Sequence, residues 1–389
     1  MALPYGSTSG LLDVGSNVPS ALQQTIWANY IVHAAEEKNP LLMLEGPEGS
    51  GAPIWRVDQL KTKGGATYTM GHMTPFETDP QKMDFDTHTY EDAFTFDDQS
   101  ISIIAWKRSW ISSALQKQYP NFSLRDATLR GLQDYHLLMN AKFGLSALRE
   151  KTWTGDDSSG TLYTGATCYN QIIAGQKPDV SKLNDDDIMT SEIGAIALDM
   201  MYSGYRRAGS TNWVFEQPTV QGEVHDAVCL MHRHQAYQLC EQDAKFQQAL
   251  NYAEQRGDQN RRWRGVGTAF KYNGIFYLVL SGKIGNFLLF SAGDTIKDDT
   301  GTSKTASVDG AVAIFMGAGA ACRVTGEDGW AFKGEGWDTE WFQRISTAKI
   351  EGWGARMFEQ TPGTATTMRD KGRLLVFTAA PHPNRRMNP

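Results

Sequence analysis

The chain has 389 residues, 41% of them hydrophobic and 21% charged, which is long enough for two or three domains or one large one with insertions. A charged fraction below the usual ~25% excludes a charged, disordered polymer. With 37 basic against 44 acidic residues the net charge is −7, and a surface of that sign repels phosphate, so bulk nucleic-acid binding is not the default reading.

Residues 1–20 are rich in Gly, Ser and Pro and read as an arm without sustained period. The opening Met-Ala-Leu-Pro-Tyr-Gly-Ser has no basic region followed by an apolar stretch, so no signal peptide is expected. A weakly helical stretch from Pro19 to Lys38 and a turn-rich linker from Glu45 to Pro53 follow. From Ile54 to Trp106 the pattern is β. Tyr68, Met70 and His72 alternate with Thr67, Thr69 and Gly71, and Ile101, Ile103 and Ala105 alternate with Ser100 and Ser102. Between these runs lies a polar excursion with eight acids, Glu77, Asp79, Asp84, Asp86, Glu91, Asp92, Asp97 and Asp98, against Lys82. A two-stranded excursion this poor in apolar residues has no core of its own and needs something to lie against.

The strongest element is a helix predicted over 123–152. Ser123 is its N-cap, and Leu132, Tyr135, Met139, Phe143 and Ala147 form one apolar stripe. At 1.5 Å per residue its body, 124–151, is about 42 Å long, a scaffold dimension. Asp185 to Thr190 leads into a second helix bearing Ile193, Ala197 and Met200 on one face. Asp226 to Met231 and Ile275 to Leu280 read as buried strands, with a helix from Arg233 to Glu241. Late strands are expected at Thr347–Phe358 and Arg373–Thr378. The longest small-apolar run, Gly310 to Cys322, is about half the ~20 residues that span a bilayer, so no membrane partner is expected. Cys168, Cys229, Cys240 and Cys322 include no C-x-x-C and predict reduced, buried thiols in a cytosolic setting.

Chemical motifs fail one by one. Gly46 to Gly51 has P-loop spacing, but Ala52 and Pro53 stand where Lys and Ser/Thr are needed. Gly317 and Gly319 begin a G-x-G that Cys322 does not complete. Gly6 to Gly10 places Thr8 where a nucleophile elbow needs Ser. Asp294 to Gly301 lacks the ligand alternation of an EF-hand. His225, His232 and His234 fall close together, and on one strand His232 and His234 would share a face that zinc could use; otherwise they are polar residues at the ends of a buried strand. No catalytic, cofactor-binding or metal residues are assigned, and no cofactor is expected. Two basic stretches remain, Lys107, Arg108, Lys117, Arg125 and Arg130, and Arg256, Arg261, Arg262, Arg264 and Lys271 around Trp263. Each reads as a solvated or interface-forming face, although the second could stack on nucleic acid. Trp330, Phe332, Trp337, Trp341, Phe342, Trp353 and Phe358 are a sugar platform, a core, or a contact with another chain.

The order of parts resembles a tailed-bacteriophage major capsid protein of the Hong Kong 97-like (Johnson) fold, and most closely the N4-like podophage coat-protein family. The passages that carry the resemblance are Ala52 to Leu60, Ala227 to Ala236 (hydrophobic, His, x, x, Gln-Ala), Trp263 to Ile275 (Gly-x-Gly … Tyr-Asn-Gly), Ala318 to Cys322, Trp337, and Ile350-Glu351-Gly352. Only their shared order is specific, and the acidic Gly-Asn/Asp-Glu stretch of some relatives is missing.

The resemblance implies an α+β fold with an N-terminal arm (1–50), an extended β-hairpin loop with flanking strands (51–106), a peripheral domain with a long spine helix (107–180), an axial domain (181–344), and peripheral strands with a tail (345–389). It also implies a shell protein of the virion, made in the host bacterial cytoplasm, that self-assembles as hexamers and pentamers around double-stranded DNA. Its partners would be itself, scaffolding, portal and decoration proteins, with DNA only non-specifically. The charge pattern suggests contact between copies, with Glu77, Asp79, Asp84, Asp86, Glu91 and Asp92 facing Lys107, Arg108, Arg125 and Arg130. The competing readings are an intracellular α/β enzyme centred on His225, His232 and His234, and a carbohydrate-binding virion accessory protein using the late tryptophans.

Overall fold

The computed structural model describes residues 39–58, 67–73, 96–113, 124–149, 153–154, 161–163, 168–203, 215–248, 269–326, 330–335, 342–359 and 368–380. The helix expected over 19–38 lies outside them. In chain order the main elements are β1 (Ile54–Val57), β2 (Thr67–Met73), β3 (Phe96–Ser102), β4 (Ile104–Ser113), α1 (Leu124–Arg149), β5 (Gln171–Ile173), α2 (Ser191–Ser203), β6 (Ala227–His232) and α3 (Arg233–Gln242). They continue with β7 (Ala269–Tyr272), β8 (Ile275–Leu280), β9 (Gly310–Met316), β10 (Ala321–Thr325), β11 (Trp330–Glu335), β12 (Phe342–Ala355) and β13 (Arg373–Ala379).

Two mixed sheets organise these elements. The first is six-stranded, running from Glu45–Pro47 through β1, β10 and β12 to β11, with β4 also paired to β12. The second is seven-stranded, in the order β7, β8, β6, β9, β13, β5, with Leu289–Phe290 added on β9. Strands β6, β9 and β13 are buried along their whole length. That is why their sequences are unbroken apolar runs rather than alternations: both faces are covered. The sequence grouped β13 with the strand around Ile350, but β13 pairs along all of β9 and in parallel with β5, inside the second sheet. Chain order is a poor guide here because a strand joins whichever edge its hydrogen bonds complete.

Gly310 to Cys322, read as one close-packed run, is the end of one sheet and the start of the other. Strand β9 stops at Met316, the chain turns through Gly317–Ala320, and β10 begins at Ala321 in the first sheet. Gly319 takes φ +60, and a Cβ there would sit 2.8 Å from Trp55, so only glycine suits this turn. The Tyr-Asn-Gly passage is a two-residue hairpin turn. Tyr272 pairs with Ile275, and Asn273 and Gly274 have φ of 49 and 77. Positive φ at both positions is what a type I′ hairpin requires and what Asn-Gly supplies.

Helix α1 buries Leu132, Met139, Phe143 and Ala147 and half-buries Tyr135, the stripe its spacing predicts. Gly144 lowers helix propensity, but a Cβ there would meet Leu41 at 2.9 Å and Trp353 at 3.1 Å, so it permits close approach to the sheet. Thr190 Oγ1 accepts the Ile193 N–H at the start of α2, as expected of a cap. The expected alternation through Ile101, Ile103 and Ala105 breaks. Ile101 is buried, Ala105 is exposed and Trp106 is buried, because one strand ends at Ser102 and the next begins at Ile104.

Strands β2 and β3 pair from Thr67↔Ser102 to Met73↔Phe96, forming the base of a hairpin that frames the excursion. Met70 and Ile101 pack with Val57, Cys322 and Val324 in a small satellite core. Gln99 clamps this base to the end of β12, donating from Nε2 to the Ala355 carbonyl at 2.7 Å and accepting the Met357 N–H at 2.9 Å. Gly352 and Gly354 make the seat, since a Cβ on Gly352 would lie 2.6 Å from the Ser102 carbonyl oxygen. Gly352→Ala is expected to cost ~1–3 kcal/mol by overpacking against backbone. A urea midpoint equal to that of the native chain would refute this close approach.

Candidate functional site

The first sheet and α1 meet at a buried charge cluster. Arg323 on β10 donates from Nη1 to both oxygens of Glu45, at 2.8 and 2.9 Å, and its Nη2 lies 3.4 Å from Glu351 Oε2 on β12. Lys349, two residues before Glu351 and so on the same strand face, places Nζ 3.5 Å from that Oε2. Trp106 on β4 donates from Nε1 to Glu351 Oε1 at 3.2 Å, and Asn140 on α1 lies 3.3 Å from Lys349 Nζ. The four charged side chains are 0–3% exposed and sum to zero. Buried ions are tolerable only when matched in this way. Burial lifts the Glu45 carboxyl above its ordinary value in spite of Arg323. Burial also works to raise Glu351, but the Lys349 and Arg323 charges and the Trp106 hydrogen bond hold it below the usual carboxylate value.

A second joint ties the C-terminal end of α1 to the other sheet. Arg373 pairs with Asp370 and donates from Nη1 to the carbonyls of Ala147 (2.9 Å) and Leu148 (3.2 Å). A cation at the last carbonyls also complements the helix dipole. Arg149 donates from Nη1 to the carbonyls of Phe287 and, at 2.7 Å, Leu289. Burial pulls its guanidinium down to about 10.

The residues expected to form contacts between copies fall in three places. Lys107 and Arg108 lie on β4, paired with Ala348 and Thr347 of β12. Arg125 lies in the first turn of α1, and Arg130, a turn further on, is exposed. Glu77, Asp79, Asp84, Asp86, Glu91 and Asp92 lie outside the described residues. In the second basic stretch only Lys271 is described; it is exposed and 3.9 Å from Glu223.

The histidine cluster has a local explanation. His232 ends β6 and caps α3: its Nδ1 accepts the His234 N–H at 3.1 Å, while Gln235 Oε1 accepts the His232 N–H at 3.1 Å. The His-x-x-Gln passage is therefore a capping box. Because His234 is already helical, the two imidazoles do not share a strand face. His225 is buried against Phe276, its backbone N–H donated to the Pro218 carbonyl. Among the described residues no group of three or more His, Cys, Asp or Glu could hold a metal ion. Asp298 spends its Oδ1 on the N–H groups of Thr300 and Thr302 in its own turn. Trp353 is core, 3% exposed and 5.4 Å from the Arg323 guanidinium. Trp330 and Phe332 lie on β11 and Phe342 on β12, while Trp337 and Trp341 lie outside the described residues. Cys168, Cys229 and Cys322 are buried free thiols and Cys240 is half-buried. No described helix is long and apolar enough to cross a membrane.

Two sheets joined by a long helix, with a hairpin leaving the first, define the class: the fold is that of phage capsid chains, the Hong Kong 97-like fold. The chain is similar to the capsid of Ralstonia phage GP4 at 18% identity and TM-score 0.63, over 88% of this chain and 91% of that one. It is similar to the head structure of Helicobacter pylori bacteriophage KHP40 at 12% identity and TM-score 0.63, over 98% and 99%. For the capsid of cyanophage Pam1 the values are 11%, 0.63, 94% and 99%. A search of curated proteins by sequence found no match. The phage capsid protein family matches residues 16–382, and the chain belongs to that family. Family and fold together support a major capsid protein and do not favour the enzyme or carbohydrate-binding readings.

Removing one partner of the charge cluster leaves the others uncompensated. Arg323→Met is expected to cost ~3–5 kcal/mol in chemical denaturation; a cost under about 1 kcal/mol would show that the cluster is not matched as described. His232 accepts its capping bond only when neutral. Burial first, then the charges of His234 and Arg233, lowers it from 6.5 to about 4. Its contribution is complete above pH 6.5 and is lost as pH falls towards 4, approaching about 3 kcal/mol. His232→Asn caps without titrating, so its stability is expected to fall less than that of the native chain between pH 7 and pH 4.5. Identical slopes would remove His232 from the account.

Proposed function

We propose that the chain builds the icosahedral shell of a bacteriophage by repetition of weak contacts rather than by chemistry. The observation that carries this reading is the family match across residues 16–382 of 389. Small pairwise energies suffice because each copy meets several neighbours and the contacts multiply over a closed assembly. The units are hexamers and pentamers of this chain, and the assembled virion holds double-stranded DNA non-specifically. A net charge of −7 suits an enclosure that does not grip its contents. The protein is made in the host cytoplasm, with scaffolding, portal and decoration proteins as partners, and its subfamily is that of the N4-like podophage coat proteins.

The proposed layout follows the two sheets. Residues 1–50 form the arm, 51–106 the extended loop with its flanking strands, and 107–180 the peripheral domain around α1. Residues 181–344 form the axial domain, and 345–389 return to the peripheral domain, except that β13 completes the axial sheet. The excursion framed by β2 and β3 lies across a neighbouring copy, its acids Glu77, Asp79, Asp84, Asp86, Glu91 and Asp92 near Lys107, Arg108, Arg125 and Arg130 of that copy. Arg130 is exposed in the single chain, as such a role requires.

Electron microscopy of the purified, concentrated protein is expected to show closed shells. The double variant Arg125→Glu/Arg130→Glu is expected to yield soluble chain with native circular dichroism and melting temperature, sedimenting without shells. Normal shells from that variant would sink the charge-paired contact. Absence of shells from the native chain, with or without co-expressed scaffold, would sink the function.

A further inference from the structure

The second sheet carries opposite charge at the two ends of β6. This strand lies parallel to β8, with Ala227 beside Ile275 and His232 beside Leu280, so the two begin together and end together. At their beginning stand Glu223, Val224 and Asp226, joined by Asp199 and Tyr202 from the end of α2; these acids outnumber Lys271. The Tyr202 ring is pinned there. Its hydroxyl donates to Asp226 Oδ1 at 3.1 Å and accepts from Gln217 Nε2 at 2.9 Å. Glu223 and Val224 follow a tight turn in which Gln221 takes φ 52, a conformation that disfavours glutamine. At the other end stand Arg233 and, one turn into α3, Tyr237. Lys283 follows β8 in the turn whose Gly285 lies against the His232 ring, and Arg233 and Lys283 are both exposed. Two carboxylates at that end, Asp294 and Asp309, accept the N–H groups of Ser291 and Ala292.

The exposed large apolar side chains among the described residues are Tyr202, Val224 and Tyr237, at 40%, 59% and 52%, and all three fall at these two ends. An isolated exposed apolar residue needs no explanation. Here each sits among charges whose sign is matched at the opposite end, ~20 Å away along a six-residue strand. We propose that the acidic end of this unit docks on the basic end of a second copy, Tyr202 and Val224 against Tyr237, with Asp199 and Glu223 near Arg233 and Lys283. The two faces differ, so the contact is heterologous: copies join head to tail, and the chain of copies ends only when the rotation closes a ring. Each face offers one or two large apolar side chains, against roughly 20–30 residues a side in a stable interface. A single contact is therefore weak, and closure of the ring holds it. Tyr202 loses little freedom on docking because it is already held, which favours it as the anchor. The inference rests on the shell reading above, to whose pentamers and hexamers it gives a contact separate from the excursion framed by β2 and β3.

Crosslinking of the full-length protein under assembly conditions tests it. Cys240→Ser leaves only the buried thiols of Cys168, Cys229 and Cys322. In that background a chain carrying both Val224→Cys and Tyr237→Cys is treated with a short bismaleimide. Denaturing electrophoresis is expected to show a ladder that ends at the pentamer or hexamer. Val224→Cys alone and Tyr237→Cys alone should each stay monomeric, since neither face meets its own counterpart. Linked dimers from either single variant, or shells of the double variant without a ladder, overturn the proposal. A ladder without shells supports the two faces and removes the shell reading instead; neither shells nor a ladder removes both. Charge supplies a second measurement. Arg233→Glu/Lys283→Glu, with native circular dichroism, should lower the yield of shells roughly tenfold or more, and adding Asp199→Lys/Glu223→Lys to the same chain should restore it. Full yield from the first of these, or no restoration in a folded second, overturns the charge matching on which the pairing rests.

Discussion

The architecture depends on keeping four charges out of water in one place. Arg323, Glu45, Glu351 and Lys349 come from three strands of one sheet, and none could be buried alone without a penalty of several kcal/mol. Their pairing fixes which strands can be neighbours. Glu45 ties the segment before β1 to β10 across the intervening β1, and Lys349 and Glu351 bring β12 beneath α1. Apolar packing of comparable area would tolerate a slipped register or a rotated helix, because burial is non-directional. A guanidinium whose Nη1 is held by Glu45 and whose Nη2 is held by Glu351 tolerates neither.

From that joint the rest of the fold follows as a lever. Helix α1 is held at Asn140 by the first sheet and at its last carbonyls by Arg373, which belongs to the second. The two sheets therefore cannot move independently while α1 is intact, even though the turn at 317–320 is their shortest covalent link. A shell built from many copies needs this property. Contacts worth little each can select one curvature only if the unit does not bend more easily than the contacts break. The excursion framed by β2 and β3 is anchored at its base by Gln99, Ile101 and Met70, so force on it passes to β12 and on to the charge cluster.

Legibility from sequence followed periodicity. Helix α1 shows its stripe, and β6, β8 and β13 show uninterrupted apolar runs, so their existence and type could be read directly. The break between β9 and β10 could not, because Gly317-Ala318-Gly319-Ala320 carries no period and small apolar residues suit strand and turn alike. The phase change after Ile101 was missed because one unpaired residue between two strands inverts every later face. The charge cluster was invisible for a different reason. Lys349 and Glu351 in a strand pattern look like the solvent face of a half-buried sheet, and Arg323 and Glu45, which bury them, are 278 residues apart. One signal was available: Trp353 and Trp106 flank these polar residues, and a Lys-x-Glu-x-Trp strand puts all three on one face.

The passages that betrayed the family turn out to be backbone devices rather than chemistry. His232 and Gln235 close a capping box, Asn273-Gly274 makes a type I′ turn, and Gly352 seats a hairpin against the Ser102 carbonyl. Each is a solution any fold could use, which is why each alone is a weak signature. Their order along the chain is specific because it records where this fold must cap a helix, reverse a strand or let two backbones touch. A protein that acts by shape is recognised by the sequence of its geometrical constraints, whereas an enzyme is recognised by a few side chains that must converge.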